Sequence, residues 1–142
     1  MPVKTISSLL LLLLALAGVS HSLTAAAARE TVEVDIEVLT GIDYEEGKPL
    51  PKKVTKYDGR TVVIGGYMHS STKRNTDTFL MVGNLCQCSG TPMVQHFIEV
   101  TLDGTTTDPK PGYIEIEGTL SVGEETDGGF VTSIYRVKGD FF

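Results

Sequence analysis

Two cysteines in the middle of the chain are the first candidates for chemistry. Cys86 and Cys88 stand one residue apart and are the only cysteines in the 142-residue sequence. His96 follows them closely, His69 precedes them, and Met68 places a thioether beside His69. Thiolates, imidazoles and thioethers are ligands that zinc and copper accept in proteins. The sequence therefore offers these five side chains as candidate metal ligands.

The donor types allow two metals. Two thiolates with one or two imidazoles would suit zinc, whose structural sites use four Cys or His ligands. Thiolates together with the Met68 thioether would instead favour Cu(I), because soft sulfur ligands select it. Cys86 and Cys88 are the predicted primary ligands and His96 the next, with His69 and Met68 as further candidates. The C-x-C spacing is shorter than the C-x(2–4)-C spacing typical of structural zinc sites.

The same two cysteines have interpretations without a metal. Same-face residues of a strand lie about 6.6 Å apart, which is at the edge of the Cα separation that a disulfide accepts. A bridge between Cys86 and Cys88 would need a bent backbone and would be strained and reducible. Redox work would need a nearby cation or helix N-terminus to lower the thiol pKa, and residues 85–95 contain no Lys or Arg. A disulfide, an inert structural turn and a thiol-redox role stay open.

Short strands must position these side chains. The alternating stretch TVEVDIEVL places Val32, Val34, Ile36 and Val38 on one face and predicts a strand over 31–39. Further strands are predicted at 61–68, 77–84, 96–102, 112–122 and 129–137. The connections are rich in Gly, Pro, Asp and Thr, apart from the polar spacer 40–57, which has room for one helical turn.

Many short strands in little more than a hundred residues predict a small all-β barrel or sandwich. Curved strands and the Gly65-Gly66 pair, which indicates a bulge or a close backbone approach, favour a five- to six-stranded OB-like Greek-key barrel. An immunoglobulin-like sandwich is the second choice, because the chain lacks the Trp and the Cys spacing of that fold.

The strand order decides which candidate ligands can meet. The cysteines follow the strand 77–84 and His96 opens the strand 96–102, so an antiparallel connection would place them at one end of the barrel. The loop 70–76 would normally carry the chain from His69 to the opposite end. His69 joins the others only if its strand runs in the same sense as 77–84, or if that loop folds back.

The first 28 residues have the pattern of a cleaved secretory signal peptide. Lys4 precedes an apolar run from Leu9 to Val19, which is too short to span a bilayer and is followed by small residues. The predicted mature domain is 29–142, a single domain without a membrane span. The chain carries a formal net charge of −6, and loss of Lys4 makes the mature domain more negative. An acidic exported domain is a poor partner for nucleic acid or anionic lipid.

Hydrolytic catalysis has little support, so we predict that the protein is not an enzyme. The sequence contains neither G-x-S-x-G nor H-E-x-x-H. Asp43, Glu45 and Glu46 lack the ligand spacing of a calcium loop, and a solvated acidic face is the better interpretation. The Gly65-Gly66 pair is not followed by a helix, which a phosphate-binding loop would require.

Three stretches resemble a family of exported bacterial proteins, number 3299 among the domains of unknown function. They are GIDYEEGKPLPKKVTKYDGRTVVIGGYM, FLMVGNLCQCSG and VGEETDGGFVTSIYRV. The match extends over nearly the whole mature chain. The resemblance implies an OB-like barrel in the bacterial envelope and a partner such as an ABC-type transport component, sometimes in zinc-linked settings. It implies no activity. Many relatives carry adjacent cysteines, or Cys followed by His and Pro, where this chain has Cys86-Gln87-Cys88.

We therefore expect an exported bacterial domain, periplasmic or secreted, that binds zinc or copper or assists a metal-related transport system. One alternative is a cofactor-free interaction domain of the OB type in which the Cys turn is structural. Another is a thiol-redox accessory.

Overall fold

Five strands close into a barrel, and a short sixth strand lies beside it. The computed structural model describes residues 30–85 and 90–142, so the predicted signal peptide lies outside the described residues. The elements are β1 (Val32–Val34), α1 (Ile36–Thr40), α2 (Lys52–Thr55), β2 (Thr61–Met68), β3 (Thr78–Val82), β4 (Ile98–Leu102), β5 (Tyr113–Asp127) and β6 (Phe130–Phe141). In this part of the chain no helix has the length and apolar character needed to cross a membrane.

The barrel has Greek-key topology. Its strand order is β2-β3-β4-β6-β5, and β5 returns to pair with β2. Most neighbours are antiparallel, but β4 and β6 are parallel because the long β5 lies between them in sequence and beyond β6 in space. The predicted all-β, OB-like Greek-key barrel of five to six strands is therefore confirmed.

The barrel strands lie close to where the sequence places them. β2 has the predicted bounds, while β3 and β4 are shorter than predicted. β5 and β6 extend beyond their predicted ends and form a long hairpin whose turn contains Gly128 and Gly129, with φ of 58° and 88°. Two successive residues with positive φ match the twist of a two-residue hairpin, and glycine adopts that conformation without steric cost.

The predicted strand over 31–39 is wrong beyond Val34. Residues Ile36–Thr40 form a helical turn, α1. The Asp35 carboxylate accepts a hydrogen bond of 2.9 Å from the backbone N–H of Glu37, which caps the helix N-terminus. Ile36 and Leu39 are buried, whereas Val38 is 38% exposed. The alternating pattern fits a strand, but the Asp cap and the Ile36–Leu39 spacing also fit a helix, and the helix forms.

The spacer 40–57 is fastened to the barrel by α2 within it and by α1, which ends at its first residue. It contains α2, the helical turn expected there, and α2 buries Val54 completely. Tyr135 of β6 is fully buried, and its hydroxyl donates a 2.7 Å hydrogen bond to the Leu39 carbonyl. This bond satisfies a carbonyl at the end of α1 that has no partner within the helix.

The glycine pair of β2 allows close approach to neighbouring chain. The register between β2 and β5 is continuous through Gly65 and Gly66, so no bulge occurs there. A Cβ atom on Gly65 would overlap the ring of Tyr113, and one on Gly66 would lie 2.7 Å from the Val82 carbonyl oxygen. Of the two roles predicted for this pair, the structure shows close approach.

Candidate functional site

The β2–β3 side of the barrel is incompletely paired. β3 pairs only with the last two residues of β2, Tyr67 and Met68. β5 occupies the other edge of β2, so β1 must share the edge with β3, where it pairs with Val62–Ile64. Next to β1, α1 packs on the end of β3. The contact is close: a Cβ atom added to Gly83 would lie 3.3 Å from an Ile36 methyl carbon. The end of β3 and the first turn of α1 therefore form one rim.

A cavity of about 520 Å³ opens at this rim. That volume falls in the range of cavities that bind small ligands, about 300–1,000 Å³. It is lined by Glu37, Thr40, His69, Ser70, Val82, Gly83, Asn84, Leu85, Gly90, Thr91, Pro92 and His96. The lining thus combines an apolar wall with two imidazoles and one carboxylate.

The cavity brings both candidate histidines to one place. β2 and β3 are antiparallel, so the same-sense arrangement that would have delivered His69 does not occur. Instead the loop after β2 turns the chain back, and the backbone N–H of His69 donates a hydrogen bond of 2.9 Å to the Leu80 carbonyl. Because β3 is only five residues long, its end still lies beside the end of β2. His69 and the residues after Val82 therefore line the same cavity.

His69 is held by its own turn. Its Nδ1 lies 2.8 Å from Ser71 Oγ and 3.2 Å from the Ser71 backbone nitrogen. Its carbonyl accepts a 2.6 Å hydrogen bond from the Thr72 hydroxyl. Because the Ser71 backbone N–H donates to Nδ1, Nδ1 accepts in this arrangement and the proton of the neutral ring lies on Nε2. Nε2 would be free for a metal only with the proton moved to Nδ1, where Ser71 Oγ could accept it. A partner on one ring nitrogen that leaves the other available is the arrangement typical of metal-binding histidines.

His96 lies on a turn just before β4. Its backbone N–H donates a hydrogen bond of 2.8 Å to the Met93 carbonyl. The next residue, Phe97, is only 4% exposed. The side chain of His96 itself is exposed on the cavity lining. A buried aromatic neighbour and a hydrogen-bonded turn thus hold the backbone while the imidazole stays accessible.

The predicted primary ligands, Cys86 and Cys88, lie outside the described residues. Leu85 and Gly90, the described residues on either side, both line the cavity. Within 30–85 and 90–142, no three His, Cys, Asp or Glu side chains are close enough together to hold a metal ion. The histidines and Glu37 alone therefore do not make a metal centre.

Met68 is separate from this cavity. The side chain is 6% exposed and belongs to the hydrophobic core. Its sulfur accepts a 3.2 Å hydrogen bond from the Lys110 backbone N–H. The structure thus brings together His69 and His96 of the predicted ligands, and it places Met68 among core residues.

The acidic group of the spacer lies apart from the cavity. Asp43, Glu45 and Glu46 are exposed, and Glu45 pairs with Lys48 at 2.7 Å. The arrangement agrees with the solvated face predicted for them. Glu37, in contrast, lines the cavity without having been predicted, because the strand assigned to 31–39 hid its place on α1. The Asp35 cap was the signal that could have revealed it.

Comparison with known proteins supports the fold. No family model and no curated protein matches the sequence. Among solved structures, a DUF3299 family protein from Pseudomonas aeruginosa PAO1 superposes with a TM-score of 0.54 at 16% identity, over 80% of this chain and 97% of the other. A proposed aspartyl-tRNA synthetase from Leishmania major Friedlin gives 0.41 at 14% identity, over 85% of this chain and 21% of that one. The first comparison confirms, in the fold, the resemblance of this chain to the DUF3299 family.

Proposed function

We propose that this chain is a non-enzymatic domain of the bacterial envelope that binds a transition metal, zinc or copper, at the rim cavity. One observation carries the proposal: His69 and His96 line one cavity, and so do Leu85 and Gly90, the described residues nearest to the two cysteines in sequence. Two imidazoles are too few for a structural zinc site, so the proposal requires Cys86 and Cys88 as the remaining ligands.

The donor set favours zinc over copper. Two nitrogen and two sulfur ligands satisfy the four-coordinate preference of Zn²⁺. The alternative based on a thioether loses support, because the Met68 sulfur is buried and accepts a hydrogen bond from Lys110. Cu(I) remains a second candidate through the two thiolates alone. Zinc binding would release protons, because the thiols must ionise.

The proposals for location and partner are based on the sequence. The first 28 residues support export to the periplasm or the exterior. The resemblance to the DUF3299 family supports an envelope partner, with an ABC-type transport component as the proposed class. In that setting the domain would hold or hand over the metal that the transport system handles.

Thermal unfolding of the exported form, 29–142, tests metal binding. The reduced protein is melted without oxygen, alone and with Zn²⁺ or Cu⁺. A ligand that binds only the native state at about one hundred times its Kd adds about 2.7 kcal/mol to the free energy of unfolding. That corresponds to a rise in Tm on the order of 10 °C for a domain of this size.

Matched variants test which side chains are responsible for the metal-induced rise in Tm. Cys86→Ser/Cys88→Ser and His69→Gln/His96→Gln should each lose most of the zinc-induced rise, whereas Met68→Leu should keep it. If neither metal raises the Tm and the cysteine variant melts like the parent, the metal proposal is wrong and the cofactor-free interaction domain is favoured. Loss of free thiols in air, without metal, would favour a disulfide or a thiol-redox role.

A further inference from the structure

The outward side chains of four adjacent strands form a surface on the barrel. It adjoins the rim cavity where Tyr67 pairs with Val82, but none of its residues lines the cavity. We call it the tyrosine face. It consists of Tyr67 and Tyr113 with Glu33, Glu115, Glu117 and Asp140.

Strand register places these residues on one side of the sheet. Val63 of β2 pairs with Glu33 on one side and Glu117 on the other, and Glu117 pairs in turn with Asp140. The Thr31 hydroxyl donates a hydrogen bond of 3.1 Å to the Glu117 carboxylate, and this bond crosses β2 on the same side of the sheet. Paired residues of neighbouring strands point to the same side of a sheet. The carboxylates therefore form a row across β1, β2, β5 and β6.

The two tyrosines lie on the same side, farther along β2. Tyr67 pairs with Tyr113, and their rings meet edge to face with centroids 5.5 Å apart. Gly65 leaves the space over which the Tyr113 ring lies. Although packed in this way, Tyr113 is 61% exposed. An aromatic surface is thus held in a fixed position and open to solvent.

The carboxylates around the tyrosines are not neutralised by the ion pairs seen in the described residues. Those ion pairs join Lys48 to Glu45, Arg74 to Asp108, Arg136 to Glu125 and Lys138 to Asp103. Glu33, Glu115 and Asp140 are exposed. Partial burial and the nearby Glu115, Asp35, Tyr67 and Glu33 raise the pKa of Tyr113, which agrees with a concentration of negative charge at its hydroxyl.

We propose that the tyrosine face docks a basic segment of a partner protein, with Arg or Lys side chains placed against Tyr113 and Tyr67. A guanidinium or ammonium group is attracted to the face of an aromatic ring, and Arg also pairs with carboxylates. The four carboxylates attract positive charge, so a basic segment is the occupant that this surface favours. Nucleic acid would be repelled by the same charges.

The spacing of the carboxylates argues against a single bound metal ion. Glu33 and Glu117 belong to strands on opposite sides of β2, which puts their backbones about 10 Å apart. Oxygen ligands of Ca²⁺ or Mg²⁺ lie within about 2.6 Å of the ion. Several cationic side chains along a peptide match such a row better than one ion does. This proposal does not depend on metal binding at the rim cavity.

Fluorescence anisotropy with a defined probe tests the surface. The probe is a labelled peptide in which Arg alternates with Gly, and its reference replaces each Arg with Gln. We expect the exported form of the protein to bind the Arg peptide and not the Gln peptide. Glu115→Gln/Glu117→Gln should weaken binding by roughly tenfold, and Tyr113→Leu by roughly threefold or more. Tyr113 is largely exposed, so its variant should fold.

The control is Glu45→Gln/Glu46→Gln, which changes the net charge equally at a distant exposed site and should leave the Kd within about twofold. Equal weakening by both charge variants would overturn the proposal, because it would show attraction to net charge alone. Unchanged binding by Tyr113→Leu would overturn it as well. Amide shifts on β2 and β5 would support this surface, and shifts confined to the cavity lining would contradict it.

Discussion

At the scale of single residues, hydrogen bonds of one short turn hold the His69 imidazole in place. The Ser71 backbone N–H donates to Nδ1, and the Ser71 hydroxyl lies 2.8 Å from the same atom. The hydroxyl is the group that could accept from Nδ1–H once Nε2 binds a metal. Removal of a residue that orients a metal-binding histidine typically lowers metal affinity about 10- to 100-fold. We therefore expect Ser71→Ala to weaken zinc binding by a factor in that range, measured by competition with a chelator.

The matched control is the neighbouring serine. Ser70 lines the same cavity but is not the residue that contacts the imidazole. Ser70→Ala should bind zinc like the parent, because the hydroxyl beside Nδ1 belongs to Ser71. Equal affinities for the two variants would show that Ser71 does not orient His69.

Gly65 is the residue on which the tyrosine face depends. Alanine normally fits a strand better than glycine, but here its Cβ would overlap the Tyr113 ring. We expect Gly65→Ala to lower the free energy of unfolding by about 1–3 kcal/mol, as overpacking does. Urea unfolding measures this change. In a Tyr113→Ala background the same substitution should cost much less, and an equal cost in both backgrounds would rule out the steric explanation.

At the scale of elements, α1 is where sequence and structure differ most. A strand would have buried Val38, but α1 buries Leu39 completely and exposes Val38. We expect Leu39→Ala to lower the free energy of unfolding by about 2–5 kcal/mol. Val38→Ala should lower it by less than about 1 kcal/mol. Denaturant unfolding of the two variants gives both values, and a larger loss for Val38→Ala would indicate a strand.

The sequence predicts the barrel strands well because alternation and turn residues agree there. β2 follows the Asp58-Gly59 turn and keeps its predicted bounds. Over 31–39 the alternation is compatible with two structures, and one hydrogen bond from Asp35 distinguishes them. Strand order predicts His96 beside the Cys turn that follows β3. That turn lies outside the described residues, but His96 lines the same cavity as Val82 and Gly83. The position of His69 depends on how short β3 is, which periodicity does not determine.

At the scale of the whole molecule, the fully buried Tyr135 couples stability to alkaline pH. Burial raises the pKa of Tyr135 to about 12 from 10.0, and its hydroxyl donates to the Leu39 carbonyl. Between pH 10 and 12 the unfolded chain loses this proton while the folded chain keeps it. The free energy of unfolding should therefore be unaffected by Tyr135 below pH 10 and fall above it, by about 2–3 kcal/mol at pH 12.

Comparison with Tyr135→Phe isolates this effect. That variant loses the hydrogen bond to Leu39, so at neutral pH it should be less stable by about 1 kcal/mol. Above pH 10 it should lose less stability than the parent, because it lacks the titrating group. Urea unfolding at pH 8, 10 and 11 measures the difference, and parallel losses in both proteins would mean that other groups cause the alkaline unfolding.

The most direct test of metal binding at the rim cavity is an imidazole nitrogen spectrum of the reduced domain 29–142 with one equivalent of Zn²⁺. We predict that one nitrogen each of His69 and His96 moves to the position of a metal-bound imidazole, and that Cys86→Ser/Cys88→Ser abolishes both changes. If neither imidazole changes with Zn²⁺ present, the cavity is not the metal site.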